Sequence, residues 1–325
     1  MDPHSPQTLR KVEENDPTLT ELHIGGRGYG HFNSSDGRNI SRLCASIGQN
    51  THVKTLVLNF EGMEVYLDDN SEFFDGLKCN SSIDRLTLDC YSDRGRDLFG
   101  RRFVHELLEV YQENSNLRTI RIESAILRHT GGDRIATTLR KCTNLVQLYL
   151  SCCNIPDQQL LPIVEAVRGQ PSLEILNLYG NGIGKAGLRA LASLLSDPIS
   201  NLQSLNLERN GIDNDGATIL ANGLANNTQL RELWLSNNQF DNPIYQGVQE
   251  VFSKLLCNKS SINSIHASNH ALEKLAVHPT RRFPQRSRAD LCFLLRLNKG
   301  TNKIIPILIW HHYLNGIWKG KVKEI

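Results

Sequence analysis

Apolar residues recur along this chain at fixed offsets. One aliphatic residue is followed by a second three places on and a third five places on, with Asn or Cys eight places on. The pattern fits "LVQLYLSCC" from Leu145, "LEILNLYGN" from Leu173, "LQSLNLERN" from Leu202 and "LRELWLSNN" from Leu230. These starts lie 28, 29 and 28 residues apart, a regularity that marks an internal repeat. Looser copies begin at Leu19, Val53, Ile83 and Leu117, at intervals of 34, 30, 34 and 28 residues up to Leu145. The N-terminal units therefore carry insertions. Beyond Leu230 the next copy is expected in "INSIHA" from Ile262, and a degenerate tenth in "LCFLLRLN" from Leu291.

The offsets predict local structure. In "LEILNL" the alternation has period two, the mark of a strand with one buried face. Leu176 and Leu178 point inward, while Ile175, Asn177 and Tyr179 point outward. "GNGI" then turns the chain, with Gly182 and Gly211 expected to supply the backbone freedom. Asn181, Asn210 and Asn238 are expected to point inward and bond to backbone groups of neighbouring turns, with Cys153 as a smaller substitute. Helical spacing follows: Leu188, Leu191, Leu194 and Leu195 share one face, as do Ala217, Leu220, Ala221 and Leu224. Asp213 or Asp215 is positioned to cap the second of these helices. A single strand–helix unit cannot bury its own apolar face, so the units must stack. Helices are wider than strands, so the stack must curve.

This core, its 28–29-residue period and its helix per unit resemble the ribonuclease-inhibitor subfamily of leucine-rich repeat proteins. The likeness is densest over 117–270 and looser over 19–116. It implies a right-handed α/β horseshoe of about nine to ten repeats, with a parallel sheet on the concave wall and helices on the convex one. It also implies an intracellular binding role. It names no partner, because such repeats occur in inhibitors, immune receptors, scaffolds and GTPase regulators. On this reading residues 1–18 form an N-terminal cap and 19–277 the repeats. Residues 278–290 form a basic loop, and 291–325 a degenerate last repeat with a C-terminal cap.

Composition narrows the picture. Hydrophobic residues make up 39% of the chain and aromatics 6%, so the core is aliphatic. The net charge of +2 gives no strong field toward nucleic acid or membrane. No apolar run is long enough to span a bilayer, and the first residues lack a signal-peptide core. Eight scattered cysteines without a CxxC pair suit reduced thiols in a cytoplasmic protein. A ribonuclease inhibitor proper is expected to be acidic and very rich in cysteine, and this chain is neither.

Candidate chemistry fails on spacing. "GGRGYGHF" (25–32) lacks the G-x-G-x-x-G spacing, and no Lys-Ser/Thr follows. "HELLE" (105–109) begins like a zinc-protease helix, but Glu109 stands where the second His belongs. Cys152 and Cys153 are adjacent and cannot comfortably chelate one metal alone, and His311–His312 have no ligand partner fixed by spacing. The expectation is a protein without enzymatic activity, cofactor, metal or small-molecule substrate.

The outward strand positions are the expected working surface. Across nine units they carry seven acids (Glu21, Asp84, Asp89, Glu123, Glu174, Glu208, Glu232) and six bases (Lys54, Arg85, Arg118, Arg121, Arg209, Arg231). A nucleic-acid face needs a clear basic excess. Tyr149, Tyr179 and Trp234 also project there, with Phe60 further off, and Tyr, Trp and Arg dominate interface hot spots. Tyr149, Tyr179, Glu208, Arg209, Arg231 and Trp234 are therefore the candidate partner-binding patch, set against the alternative that scattered surface aromatics need no partner. The expected function is a scaffold that holds a partner protein on the concave face. The alternative is a small-GTPase regulator of the activating type, with an arginine on a strand end or loop acting on the nucleotide. Arg281, Arg282, Arg286 and Arg288 in 278–290 read as a solvated loop, an acidic-group contact or an import signal. "IIPILIWHHYLNGIW" (304–318) reads as a helix that closes the core or docks a partner.

Overall fold

The computed structural model describes residues 6–25, 37–59, 71–90, 104, 106–111, 116–125, 127, 131–240, 251–252, 254–256, 269 and 271–276. Its strands are β1 (Glu21–Gly25), β2 (Thr55–Asn59), β3 (Arg85–Asp89), β4 (Thr119–Glu123), β5 (Gln147–Ser151), β6 (Ile175–Asn177), β7 (Ser204–Asn206), β8 (Glu232–Trp234) and β9 (Lys274–Ala276). Its helices include α1 (Pro6–Glu13), α2 (Gly37–Gln49), α3 (Ser71–Cys79), α4 (Gly131–Lys141), α5 (Asp157–Arg168), α6 (Lys185–Leu195) and α7 (Asn214–Leu224). The nine strands pair in sequence order in one sheet, and every pairing is parallel. This is the α/β horseshoe expected from the repeat.

The register explains the stack. Leu22, Leu56, Leu86, Ile120, Leu148, Leu176, Leu205, Leu233 and Leu275 stand opposite one another from strand to strand. All but the last are buried. Leu188, Leu191, Leu194 and Leu195 on α6, and Ala217, Leu220, Ala221 and Leu224 on α7, close the core from the other side. Asp213 caps α7, accepting a bond from the Gly216 N–H at 2.8 Å. Leu9 and Val12 of α1 are buried at the N-terminal end, where α1 packs on α2.

The inward asparagines bond as the sequence requires. The Asn181 amide donates to the carbonyls of Leu150 and Leu178 at 2.7 and 3.0 Å, and its oxygen accepts from the Cys153 and Ile155 N–H groups, both at 3.1 Å. Asn210 and Asn238 repeat the arrangement one and two units on. Cys153 fills the place with a thiol that donates to the Ile122 carbonyl at 3.3 Å.

A second polar series was not foreseen. Asn50, Asn80, Asn227 and Asn269 each stand three residues before the first aliphatic of a unit. Each oxygen accepts from the N–H groups two and three places on, at 2.7–3.0 Å. All four amides donate to carbonyls at or near the helix end of the preceding unit, Val12 for Asn50, Ile47 for Asn80, Leu195 for Asn227 and Leu224 for Asn269. They thus satisfy acceptors the helix leaves open. Asn80 and Ser82 are 2% and 7% exposed, so both belong to the core.

That series corrects the ninth unit. The strand beside β8 is Lys274–Ala276, not a strand near Ile262. "LEKLAV" from Leu272 fits the offsets as well as "INSIHA" does, and only Leu272 has an asparagine, Asn269, three places before it to lock the preceding helix end. The unit from Leu230 is therefore 42 residues long.

The turn also differs from expectation. The left-handed backbone falls at the eighth place of the five units from Leu117 to Leu230, not at Gly182 or Gly211. Ser124, Cys152, Gly180, Arg209 and Asn237 occupy it, with φ of 59°, 55°, 68°, 53° and 61°. The chain must reverse there before the inward asparagine, and only Gly180 meets that conformation without a Cβ penalty.

Phe60, the rest of the glycine-rich segment after Gly25, His105, Ile262, Leu291, the 278–290 loop and the 304–318 segment with His311–His312 lie outside the described residues.

Candidate interaction face

Alternation in the parallel strands sends the third and fifth places of each unit to the concave wall. The fifth-place row reads His23, Val57, Thr87, Arg121, Tyr149, Asn177, Asn206, Trp234 and Ala276 from β1 to β9. Tyr149 and Trp234 thus share one row, three strand spacings or about 14 Å apart.

Each ring is half-buried and carries a cation. The Arg121 guanidinium lies 4.0 Å from the Tyr149 ring centre and pairs with Glu123 at 2.9 Å. The Lys274 ammonium lies 3.6 Å from the Trp234 ring centre and 3.8 Å from Glu232, which also accepts the Trp234 Nε1–H bond at 3.2 Å. Arg209 lies 5.8 Å from the Tyr179 ring centre. Rings fixed by cation–π contacts and carboxylates lose little freedom when a partner packs on them.

Between the rings the fifth-place row is polar and uncharged. Asn177 and Asn206 each accept from the backbone N–H two residues on, at 2.9 Å. Their oxygens are thus engaged, and Gln147, Ile175 and Ser204 form the third-place row along the same strands.

Among the six sequence-named residues, Arg209 and Tyr179 come together at the rim where the strands end. Glu208 and Tyr179 occupy the same place in neighbouring units, joined through the Gly180 N–H to Glu208 carbonyl bond at 2.9 Å. Tyr149 and Trp234 flank the asparagines within the sheet. Arg231 sits at the other end of the strands, about 20 Å from the level of Arg209 along the strand direction, and pairs with Glu273 at 2.7 Å. Sequence reasoning missed Lys274 because it put the ninth unit at Ile262. It counted Arg121 as a surface charge and not as the cover of Tyr149.

Cys152 lies at the same rim, with Sγ 2.7 Å from where a Cβ on Gly180 would stand. Partial burial raises its thiol pKa, against a smaller opposing pull from Arg209. It is therefore not an activated nucleophile. Among the described residues no group of three or more His, Cys, Asp or Glu is placed to hold a metal ion, and no helix is long and apolar enough to cross a membrane.

Family models described as Leucine Rich repeat and Leucine Rich Repeat match residues 169–192, 199–221 and 229–250. The human NACHT, LRR and PYD domains-containing protein 5 is 33% identical over 141 residues, 43% of this chain and 12% of that protein. Mouse ribonuclease inhibitor is 28% identical over 152 residues, 46% of this chain and 32% of the inhibitor. Protein CARMIL of Dictyostelium discoideum is 28% identical over 126 residues, 38% of this chain and 12% of that protein. The matches thus span a third or less of these relatives' lengths. Among solved structures, one titled Leiomodin-1 Actin-Binding Site 2 covers 94% of this chain and 96% of its own, at 14% identity and a TM-score of 0.26. The Caenorhabditis elegans tropomodulin C-terminal domain covers 65% of this chain and 98% of its own, at 13% identity and a TM-score of 0.30. Superpositions this loose bear on neither fold nor function. The period, the parallel nine-stranded sheet, the inward asparagines and the matched repeat models agree, and the chain is a leucine-rich repeat protein of the ribonuclease-inhibitor-like type.

Proposed function

We propose that this protein is a non-enzymatic scaffold that holds a protein partner on the concave wall between β4 and β9. The observation that carries this reading is the set of cation-covered rings, Tyr149, Tyr179 and Trp234, around the polar pair Asn177 and Asn206. Aromatic anchors beside polar amides on a parallel sheet are what a protein interface uses. The balance of acids and bases along the wall argues against a phosphate backbone as the occupant. Trp234→Ala tests the reading. Trp234 is half-buried on the wall and outside the core, so the variant keeps its fold. In crosslinking of the full chain followed by mass spectrometry, wild type joins to its partner through residues on this wall, and Trp234→Ala loses those crosslinks. Crosslinks confined to the convex helices refute the assignment.

A further inference from the structure

Two of the three rings belong to closed triads of ring, cation and carboxylate: Tyr149–Arg121–Glu123 and Trp234–Lys274–Glu232. The third set is open. Arg209 stacks toward Tyr179, and among the described residues no carboxylate lies within ion-pair distance of it. A stacked guanidinium uses its face and leaves its planar fork of N–H donors unused.

The backbone at this place is set by the turn that five successive units share. Arg209 holds φ 53° at the place where the preceding unit has Gly180 and the following one Asn237, the two residue types that tolerate the left-handed region. An arginine there gives up backbone stability, as Ser124 and Cys152 do at the same place, and among the described residues its exposed side chain forms no ion pair.

We infer that the partner completes the third triad, presenting an Asp or Glu side chain to Arg209 above Tyr179. A guanidinium fork matches a carboxylate in two parallel hydrogen bonds. Glu123 and Glu208 stand near the same rim, and their charges favour a single carboxylate over a phosphate or a run of acids. The inference rests on the concave-face reading and adds the chemistry of the occupant.

The test uses the full chain and a random peptide display library. Peptides enriched on wild type are synthesised, and affinity is read by fluorescence anisotropy. The enriched peptides share an Asp or Glu. Arg209→Gln weakens them about 10- to 100-fold, the weight of one charge-assisted hydrogen-bonded pair. Changing the shared acid to its amide produces the same loss, and the two changes together cost little more than either alone. No enrichment, enriched peptides without a shared acid, or an Arg209→Gln affinity within about twofold of wild type overturns the inference. Tyr149→Ala and Trp234→Ala separate the two readings. If either weakens the enriched peptides while Arg209→Gln does not, only the carboxylate falls. If neither does, the concave-face reading falls with it.

Discussion

Asn210→Ala removes one rung of the inward ladder, and its cost follows from the contacts. The side chain is 5% exposed. Its amide reaches the carbonyls of Leu178, Leu207 and Glu208 at 3.0, 3.1 and 3.2 Å, and its oxygen accepts from the Ile183 N–H at 3.3 Å. An amide has two hydrogens, so two carbonyl bonds and one N–H bond are lost, each worth about 1 kcal/mol net. The Ile183 N–H and the Leu178 carbonyl stay buried beside the gap, so about 3 kcal/mol is a fair central value. Unfolding entropy is about 2.1 cal/mol/K per residue. Over 325 residues that is about 0.7 kcal/mol/K, so the melting temperature falls by about 4 °C. Circular dichroism at 222 nm measures the fall, and hydrogen exchange locates it: the Ile183 amide loses protection before amides in α2. Cys153→Ala is the internal comparison, because a thiol is a weak donor and its loss costs about 1 kcal/mol. A shift under about 1 °C for Asn210→Ala, or unchanged exchange at Ile183, refutes the claim that this ladder ties neighbouring units together.

Four further outcomes follow from the packing and the titrating groups. A Cβ on Gly132 would lie 2.2 Å from the Gln159 carbonyl oxygen, so Gly132→Ala must push α4 from α5 and lowers stability in urea by about 1–3 kcal/mol. Gly211→Ala, whose Cβ meets nothing nearer than 3.7 Å, changes stability by less than about 0.5 kcal/mol. Replacing Arg209 by Gly removes left-handed strain at φ 53° of about 1–2 kcal/mol against a glycine entropy cost of about 0.5–1 kcal/mol, so stability rises by up to about 1 kcal/mol, read from the same denaturant titration. Burial pushes the Cys153 thiol up to about 12 and Cys142 up to about 11, from a usual 9.0, and raises the Tyr111 hydroxyl as well. The unfolded chain releases these protons first, so stability is fully present below pH 9 and falls as pH rises toward 12, by about 1.4 kcal/mol per thiol per pH unit until each folded pKa is reached. Melting temperature against pH shows the fall, and Cys153→Ala makes it shallower; an equally steep fall in that variant contradicts the assignment.

The periodic aliphatics alone determined the parallel order, the buried face and the eight strands from β1 to β8, because side chains alternate along a strand and a lone unit cannot cover its apolar side. The inward role of Asn181, Asn210 and Asn238 was legible for the same reason, since a buried amide must be bonded. The aromatic positions of the wall were legible too, as outward places in the alternation. The tertiary structure alone decided where β9 lies. "INSIHA" and "LEKLAV" present the same local pattern, and the choice between them rests on Asn269 reaching the end of α7 across 45 residues of sequence. It also decided that Arg209, not Gly211, takes the left-handed turn, and which cation covers which ring. Those contacts join residues on different units, and an offset rule that describes one unit at a time contains no information about how its neighbour's side chains fall.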